Sequence, residues 1–223
     1  KVLFRWRVSP LPAGEGLGMR GKSAIYPQGR QLLLETNMLD KLSATLKRYA
    51  NGWLALVLLA GFLSFNAVIL PRQEARIKAS SGGTAPIDLQ FFYTPEKVYS
   101  MVASYGEEGR ADYRLFELTG DILYPIIYTL FFALAITWLF QRGFAGASGM
   151  HKYNVVPFGA WLFDLFENLG IVAMLSVYPS TPALLAWVSA IFTLIKWLFV
   201  IASILLLLVG LVMAVTNGFK KQA

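Results

Sequence analysis

Asp164, Glu167 and Asn168 stand close together inside an apolar run, Val155 to Val177. Their i,i+3 and i,i+4 spacing puts all three on one helix face. The run is long enough to cross a bilayer, which takes roughly 20 apolar residues. Ionisable groups at that depth are costly, and they are expected to face a bundle interior, a partner or water. One base, Lys196, lies in the next apolar run. Paired carboxylates can relay protons or a cation, act as acid and base, or bind a metal. With a lysine beside them they can equally form a buried ion-pair network that fixes helix register.

Simple arithmetic puts the lysine beside the acids. Glu167 and Asp164 precede the end of their run at Val177 by about 15 and about 20 Å at 1.5 Å per residue. Lys196 lies about 20 Å into the run that begins at Ala183. The connection Tyr178-Pro179-Ser180-Thr181-Pro182 is short, so the two helices are expected to be antiparallel neighbours. The reading is a Lys196–Asp164 or Lys196–Glu167 pair, with the second carboxyl holding or sharing a proton. Ser189, Thr193, Lys196 and Ser203 mark a polar stripe on the otherwise greasy last run.

Two further apolar runs precede these, Gly52 to Leu70 and Ile122 to Phe140. With 56% hydrophobic residues and a mean hydropathy of +0.54, the chain reads as an all-α polytopic membrane protein. The expected architecture is a four-helix transmembrane bundle with spans at 52–70, 118–140, 155–177 and 183–215. The first run is too long for a signal-peptide core, and no small-residue cleavage site follows it. Ala60 and Ser64 suit close helix packing. The second span continues a polar stripe, Arg110, Arg114, Glu117, Asp121, Tyr124 and Tyr128, whose steps of three and four put it on one helix face. Pro125 sits on the same side and removes one helix hydrogen bond, so a kink is expected. Asn66 and Asp121, near the ends of their spans, are expected to form a separate polar layer.

Outside the spans the signals are local. Residues 1–37 read as a leader without a fold, rich in Gly and Pro between Ser9 and Gly21, with the native start expected at Met38. The alternative is a tail whose Lys1, Arg5, Arg7, Arg20 and Lys22 touch anionic lipid. Residues 38–51 read as an interfacial amphipathic helix, with Leu39, Leu42, Leu46 and Tyr49 on one face and Lys41, Lys47 and Arg48 around them. Residues 71–117 form the one sizeable extramembrane segment. In it Ser80–Pro86 is a flexible linker, and Thr94-Pro95-Glu96 starts a short extracytoplasmic helix over about 95–105. Residues 141–154 read as a short flexible loop, and 216–223 as a cytoplasmic tail.

Composition also removes chemistry. Without cysteine there is no disulfide framework, thiolate metal site or Cys nucleophile. A single histidine, His151, leaves little room for zinc or Ser-His-Asp chemistry. Gly146-Ala147-Ser148-Gly149 has the form of the rhomboid-protease G-x-S-G, but it sits in a Gly-rich turn with no second histidine. No catalytic residue, metal or cofactor is therefore assigned. The formal charge of +7 comes mostly from the leader and the flanks of the apolar runs, where Lys and Arg set topology. The expected partners are membrane lipids rather than nucleic acid. Lys41, Lys47, Arg48, Arg142, Lys152, Lys220 and Lys221 fall on one side of a four-span chain, so both termini are read as cytoplasmic.

Tyr105-Gly106-x-x-Gly109-Arg110, Asp121-x-x-Tyr124-Pro125-x-x-Tyr128 and Asp164-x-x-Glu167-Asn168 together resemble a group of uncharacterised bacterial four-span membrane proteins. The resemblance covers Met38 to Val215, implies the bacterial inner membrane and brings no activity with it. From the residues, the first reading of the cluster is structural. The alternatives are proton- or cation-coupled transport of a small solute and a membrane-embedded lipid-modifying enzyme. Four spans are few for a transporter, which leaves open a homo-oligomer or an accessory subunit of a larger complex.

Overall fold

The structure, a computed structural model, describes residues 37–146 and 148–220. The leader up to residue 36 and the end of the tail from residue 221 lie outside that range. Among the described residues the chain is all-helical, with four helical stretches long and apolar enough to cross a membrane: Gly52–Ser80, Gly106–Gly143, Gly149–Val177 and Ala183–Lys220. They form a four-helix bundle.

Side-chain caps set the first boundaries. Asn37 accepts from the Leu39 amide and opens α1, Met38–Tyr49. Asn51 accepts from the Leu54 amide at 2.7 Å and opens α2, Gly52–Ser64. An Asn at this position satisfies one of the orphan N–H groups of the first turn. α1 buries Leu46 against Ala133 and Leu134. The first membrane helix does not stop at Pro71. A π-turn, Phe65–Ile69, links α2 to α3, Leu70–Ser80, and the helix runs through the proline. The physical reason is the wider turn: it loosens the ladder just where the ring of Pro71 would meet the carbonyl of Ala67.

Ser80–Pro86 is a packed turn rather than a loose linker. Buried Ser81 donates to the Ile77 and Thr84 carbonyls, and Gly82 and Gly83 hold φ of 66° and 103°, where a side chain would be strained. A 3-10 turn follows at Ile87–Leu89. Next come α4, Pro95–Ser104, capped by Thr94, and α5, Gly106–Glu117. The expected continuous second helix is broken at Leu118–Thr119, where Thr119 turns its hydroxyl back onto the Leu115 carbonyl at 2.6 Å. This competition by a Thr side chain ends α5, and α6, Gly120–Gly143, starts afresh.

α6 is the central helix. α2, α7, Val156–Val177, and α8, Ala183–Lys220, all pack on it, and α7 and α8 form the tightest pair. The upper end holds a core of Ile87, Val98, Val102, Tyr105 and Tyr113 against Ile171, Met174 and Leu175. At the lower end part of the expected flexible loop is helical instead. Gly149–Val155 is a 3-10 helix with His151 and Asn154 buried. Asn154 donates to Thr137 at 3.0 Å and Ser43 donates to the His151 carbonyl. Gln141 reaches the Lys47 carbonyl and Asn217 the Gly143 carbonyl. These bonds gather α1, the α6–α7 connection and the end of α8 at one end of the bundle.

Candidate functional site

Asp164, Glu167 and Asn168 are buried on one face of α7, and Lys196 of α8 is buried beside them. The two acids share the lysine. Its Nζ makes a close ion pair with Glu167 Oε2 and lies 3.4 Å from Asp164 Oδ1. It also reaches the Asp88 carbonyl at 3.5 Å.

The two carboxylates differ in their remaining bonds. Glu167 Oε1 accepts from Thr193 at 2.7 Å; Tyr93 donates to Ser189 at 2.8 Å within the same chain of hydroxyls. Burial pushes the Tyr93 hydroxyl up to about 12, against the hydrogen bonds to Ser189 and Thr193. Glu167 is thus enclosed, with Oε1 bonded to Thr193 and Oε2 held by the Lys196 ion pair alone. Asp164 Oδ2 has no hydrogen-bond partner although the residue is only 5% exposed.

Asn168 explains itself through Pro125. Proline in α6 has no N–H for the carbonyl of Asp121, one turn earlier. Asn168 Nδ2 donates to that carbonyl at 2.9 Å. A bond lost within α6 is replaced by one from α7.

Asp164 lines a cavity of about 230 Å³ between α2 and α8 and in front of α6. The other polar groups there are Asn66, Asp88, Asp121, Tyr124, Tyr128 and Lys196. Tyr124 donates to Asn66 Oδ1 at 3.2 Å. Asn66 and Asp121 therefore do not form a separate layer; they belong to the same chamber as the α7–α8 cluster. The tyrosines and asparagine bring the two together because α6 turns one face toward both α2 and α8. Tyr128 is 6% exposed, and its hydroxyl has no partner. A second cavity of about 200 Å³ lies between α6 and α7, lined by Asp121, Pro125, Trp161, Asp164 and Asn168. Asp121 and Asp164 line both.

The rest of the expected stripe does not reach the chamber, because the break at Leu118–Thr119 interrupts it. Arg110 lies 4.6 Å over the Tyr178 ring. Arg114 is half-buried on α5. Glu117 is fully buried, with neither carboxyl oxygen hydrogen-bonded. Ser148 caps the 3-10 helix by accepting from the Met150 amide, and His151 Nε2 lies 3.1 Å from the Ala145 carbonyl.

Asp88, Gln90 and Tyr93 carried no signal in the sequence. They sit in a polar-and-aromatic stretch with no helical period, yet the stretch dips into the bundle beside α8. Trp197 Nε1 donates to the Gln90 carbonyl at 3.2 Å. Irregular backbone at this depth is tolerated where protein surrounds it.

The balance of charge decides what the chamber can do. Asp121, Asp164 and Glu167 are buried in or beside it, while Lys196 is the one buried lysine or arginine among the described residues. In low dielectric an uncompensated carboxylate is very costly. Protons or a cationic guest must supply the difference. Among the described residues no three His, Asp or Glu side chains converge closely enough to hold a metal ion. No family model, curated protein or solved structure matches the chain.

Proposed function

We propose that this membrane protein binds and transfers a small solute in exchange with protons, and that Asp164 is the exchanging carboxylate. One observation carries the reading. Asp164 Oδ2 is buried without a hydrogen-bond partner and lines a cavity of about 230 Å³. In a purely structural ion pair the remaining lone pairs would be satisfied. The second cavity, on the other side of Asp121 and Asp164, offers a separate place for the proton. The structural reading keeps a place for Glu167, whose bonds to Lys196 and Thr193 tie α7 to α8.

The proposed setting is the bacterial inner membrane with both termini cytoplasmic. The basic residues Lys41, Lys47, Arg48, Arg142, Lys152 and Lys220 support that orientation. The bonds from Gln141 to Lys47 and from Asn217 to Gly143 gather their elements at one end, and cytoplasmic flanks carry the excess of Lys and Arg.

Asp164→Asn is the test. In proteoliposomes it is expected to abolish solute-driven proton movement while the protein stays monodisperse and folded. A folded Asp164→Asn protein with unchanged proton movement would refute the role.

A further inference from the structure

Below the chamber lies a second space that has no polar lining at all. It is a groove of about 290 Å³ along the same three helices, lined by Ala55, Leu59, Phe131, Ala135, Leu207 and Leu211, among other apolar residues. Each flanking helix serves both spaces within one turn. α2 gives Phe62 above and Leu59 below, and α8 gives Ile204 above and Leu207 below. Phe62 and Phe131 are stacked at 5.5 Å between the two. The two spaces lie one above the other, separated only by these two rings: carboxylates, tyrosines and an amide line the upper one and hydrocarbon the lower, and a turn of the Phe62 ring would join them into one amphipathic cleft.

Its dimensions fit one chain. From Asn66 to Gly52 along α2, and from Tyr124 to Trp138 along α6, the distance is about 21 Å at 1.5 Å per residue. Both helices give the same length because the cleft runs parallel to them. The hydrocarbon core of a bilayer is roughly 30 Å thick, so the cleft is long enough for one alkyl or isoprenoid chain and lies beside the lipid.

The head space selects charge. Asp164 Oδ2 and the Tyr128 hydroxyl are buried, unpartnered and on its wall. The rings of Tyr124, Tyr128 and Trp197 line it too, and an ammonium is held by aromatic faces together with a carboxylate. Lys196 does not reverse this preference, because one lysine is shared by Glu167 and Asp164 Oδ1 while Asp164 Oδ2 and Asp121 still face the space.

We propose that the ligand is a single-chain amphiphile with a cationic ammonium head, seated with its head at Asp164, Tyr124 and Tyr128 and its tail in the Leu59–Phe131–Leu207 groove. The proposal rests on the proton-exchange reading of Asp164 and adds the ligand class and its route of entry, sideways from the lipid between α2 and α8.

The test uses the full chain in phosphatidylcholine nanodiscs and an alkyltrimethylammonium carrying a photoactivatable diazirine at the end of its chain. Matched probes carry an alcohol or a phosphate head. The cationic probe is expected to label Leu59, Ala135, Leu207 and Leu211, and excess tetramethylammonium should suppress that labelling. Asp164→Asn should weaken it roughly thirtyfold or more, the loss typical of removing one partner of a buried charge contact. Leu211→Trp fills the groove from an exposed position. It should abolish groove labelling while the protein stays monodisperse and folded, so the test survives if Asp164→Asn fails to fold. Equal labelling by the alcohol or phosphate probe would overturn the proposal. So would labelling spread evenly over lipid-facing residues such as Leu205 and Val212. If tetramethylammonium releases protons through Asp164 while the tail label misses the groove, the amphiphile is wrong and the exchange reading stands. If no ammonium compound releases protons, both fall.

Discussion

Asn168 and Pro125 make a coupled pair that can be measured without knowing the ligand. Pro125 leaves the Asp121 carbonyl without its helical donor, and Asn168 supplies one at 2.9 Å. Both Asp121 and Asn168 are buried, at 6% and 2% exposure. Leaving a buried carbonyl unpaired costs about 1–3 kcal/mol, but polar bonds between membrane helices average only ~0.6 kcal/mol with a maximum near ~1.7. Part of the cost is offset, since Asn168 Oδ1 has no partner in the folded state and its removal relieves that. Asn168→Ala is therefore expected to destabilise the wild-type background by about 1 kcal/mol beyond its packing loss. In a Pro125→Ala background the new N–H serves the Asp121 carbonyl from within α6, and that part of the cost should vanish. Packing loss is common to both backgrounds, so a double-mutant cycle isolates the bond. The assay is reversible unfolding in mixed micelles titrated with denaturing detergent. An Asn168→Ala penalty of the same size in both backgrounds would refute the replacement.

Other outcomes can be tested in the same preparation. Lys196→Met should destabilise by about 3–5 kcal/mol by stranding Glu167, and adding Glu167→Gln should recover a large part; a double variant no better than the single one would refute the pairing. Tyr93, held up to about 12 by burial against an ordinary value of 10.0, is more protonated in the folded state between those values. Its contribution is whole below pH 10 and is lost as pH rises toward 12, on the order of 2–3 kcal/mol in total. Wild type should lose stability across that window faster than Tyr93→Phe, and parallel curves would count against it. Gly143→Val would put a Cβ 2.9 Å from the backbone nitrogen of Ala214 in α8. It should cost about 1–3 kcal/mol, visible as a lowered unfolding midpoint, whereas a neutral result would mean that α6 and α8 can part there.

The helices were legible because apolar length is a strong signal and polar caps mark its ends. Thr94, read as a helix start, caps the helix that begins at Pro95. Short-range arithmetic also put Lys196 level with Asp164 and Glu167, since a five-residue connection leaves α7 and α8 little freedom. Pro71 misled because a proline is compatible with a helix when a π-turn precedes it. Thr119 misled in the opposite sense: a single hydroxyl broke a helix that the period of the stripe had carried through. Asp88 was invisible for another reason. Its place depends on Tyr113, 25 residues on, and on contacts more than a hundred residues away along the chain, to Lys196 and beside Trp197, and no local pattern encodes those. The chamber was illegible too, because it exists only where three helices fail to fill the space between them.

That long-range dependence has a consequence for how the protein is made. Residues 87–93 leave the ribosome long before α8 does, and α8 supplies the partners of Asp88, Gln90 and Tyr93. Until Ser189, Lys196 and Trp197 have entered the bilayer, this stretch is held only at its start, where the Tyr113 hydroxyl accepts from the Ile87 amide and donates to Asp88 Oδ1, so its later part waits at the membrane surface with its aromatic residues uncovered. The bundle closes backwards along the chain: α8, inserted well after the loop, is the helix that seats it. A chain truncated before Ser189 would therefore have its first three spans but lack the roof of the chamber.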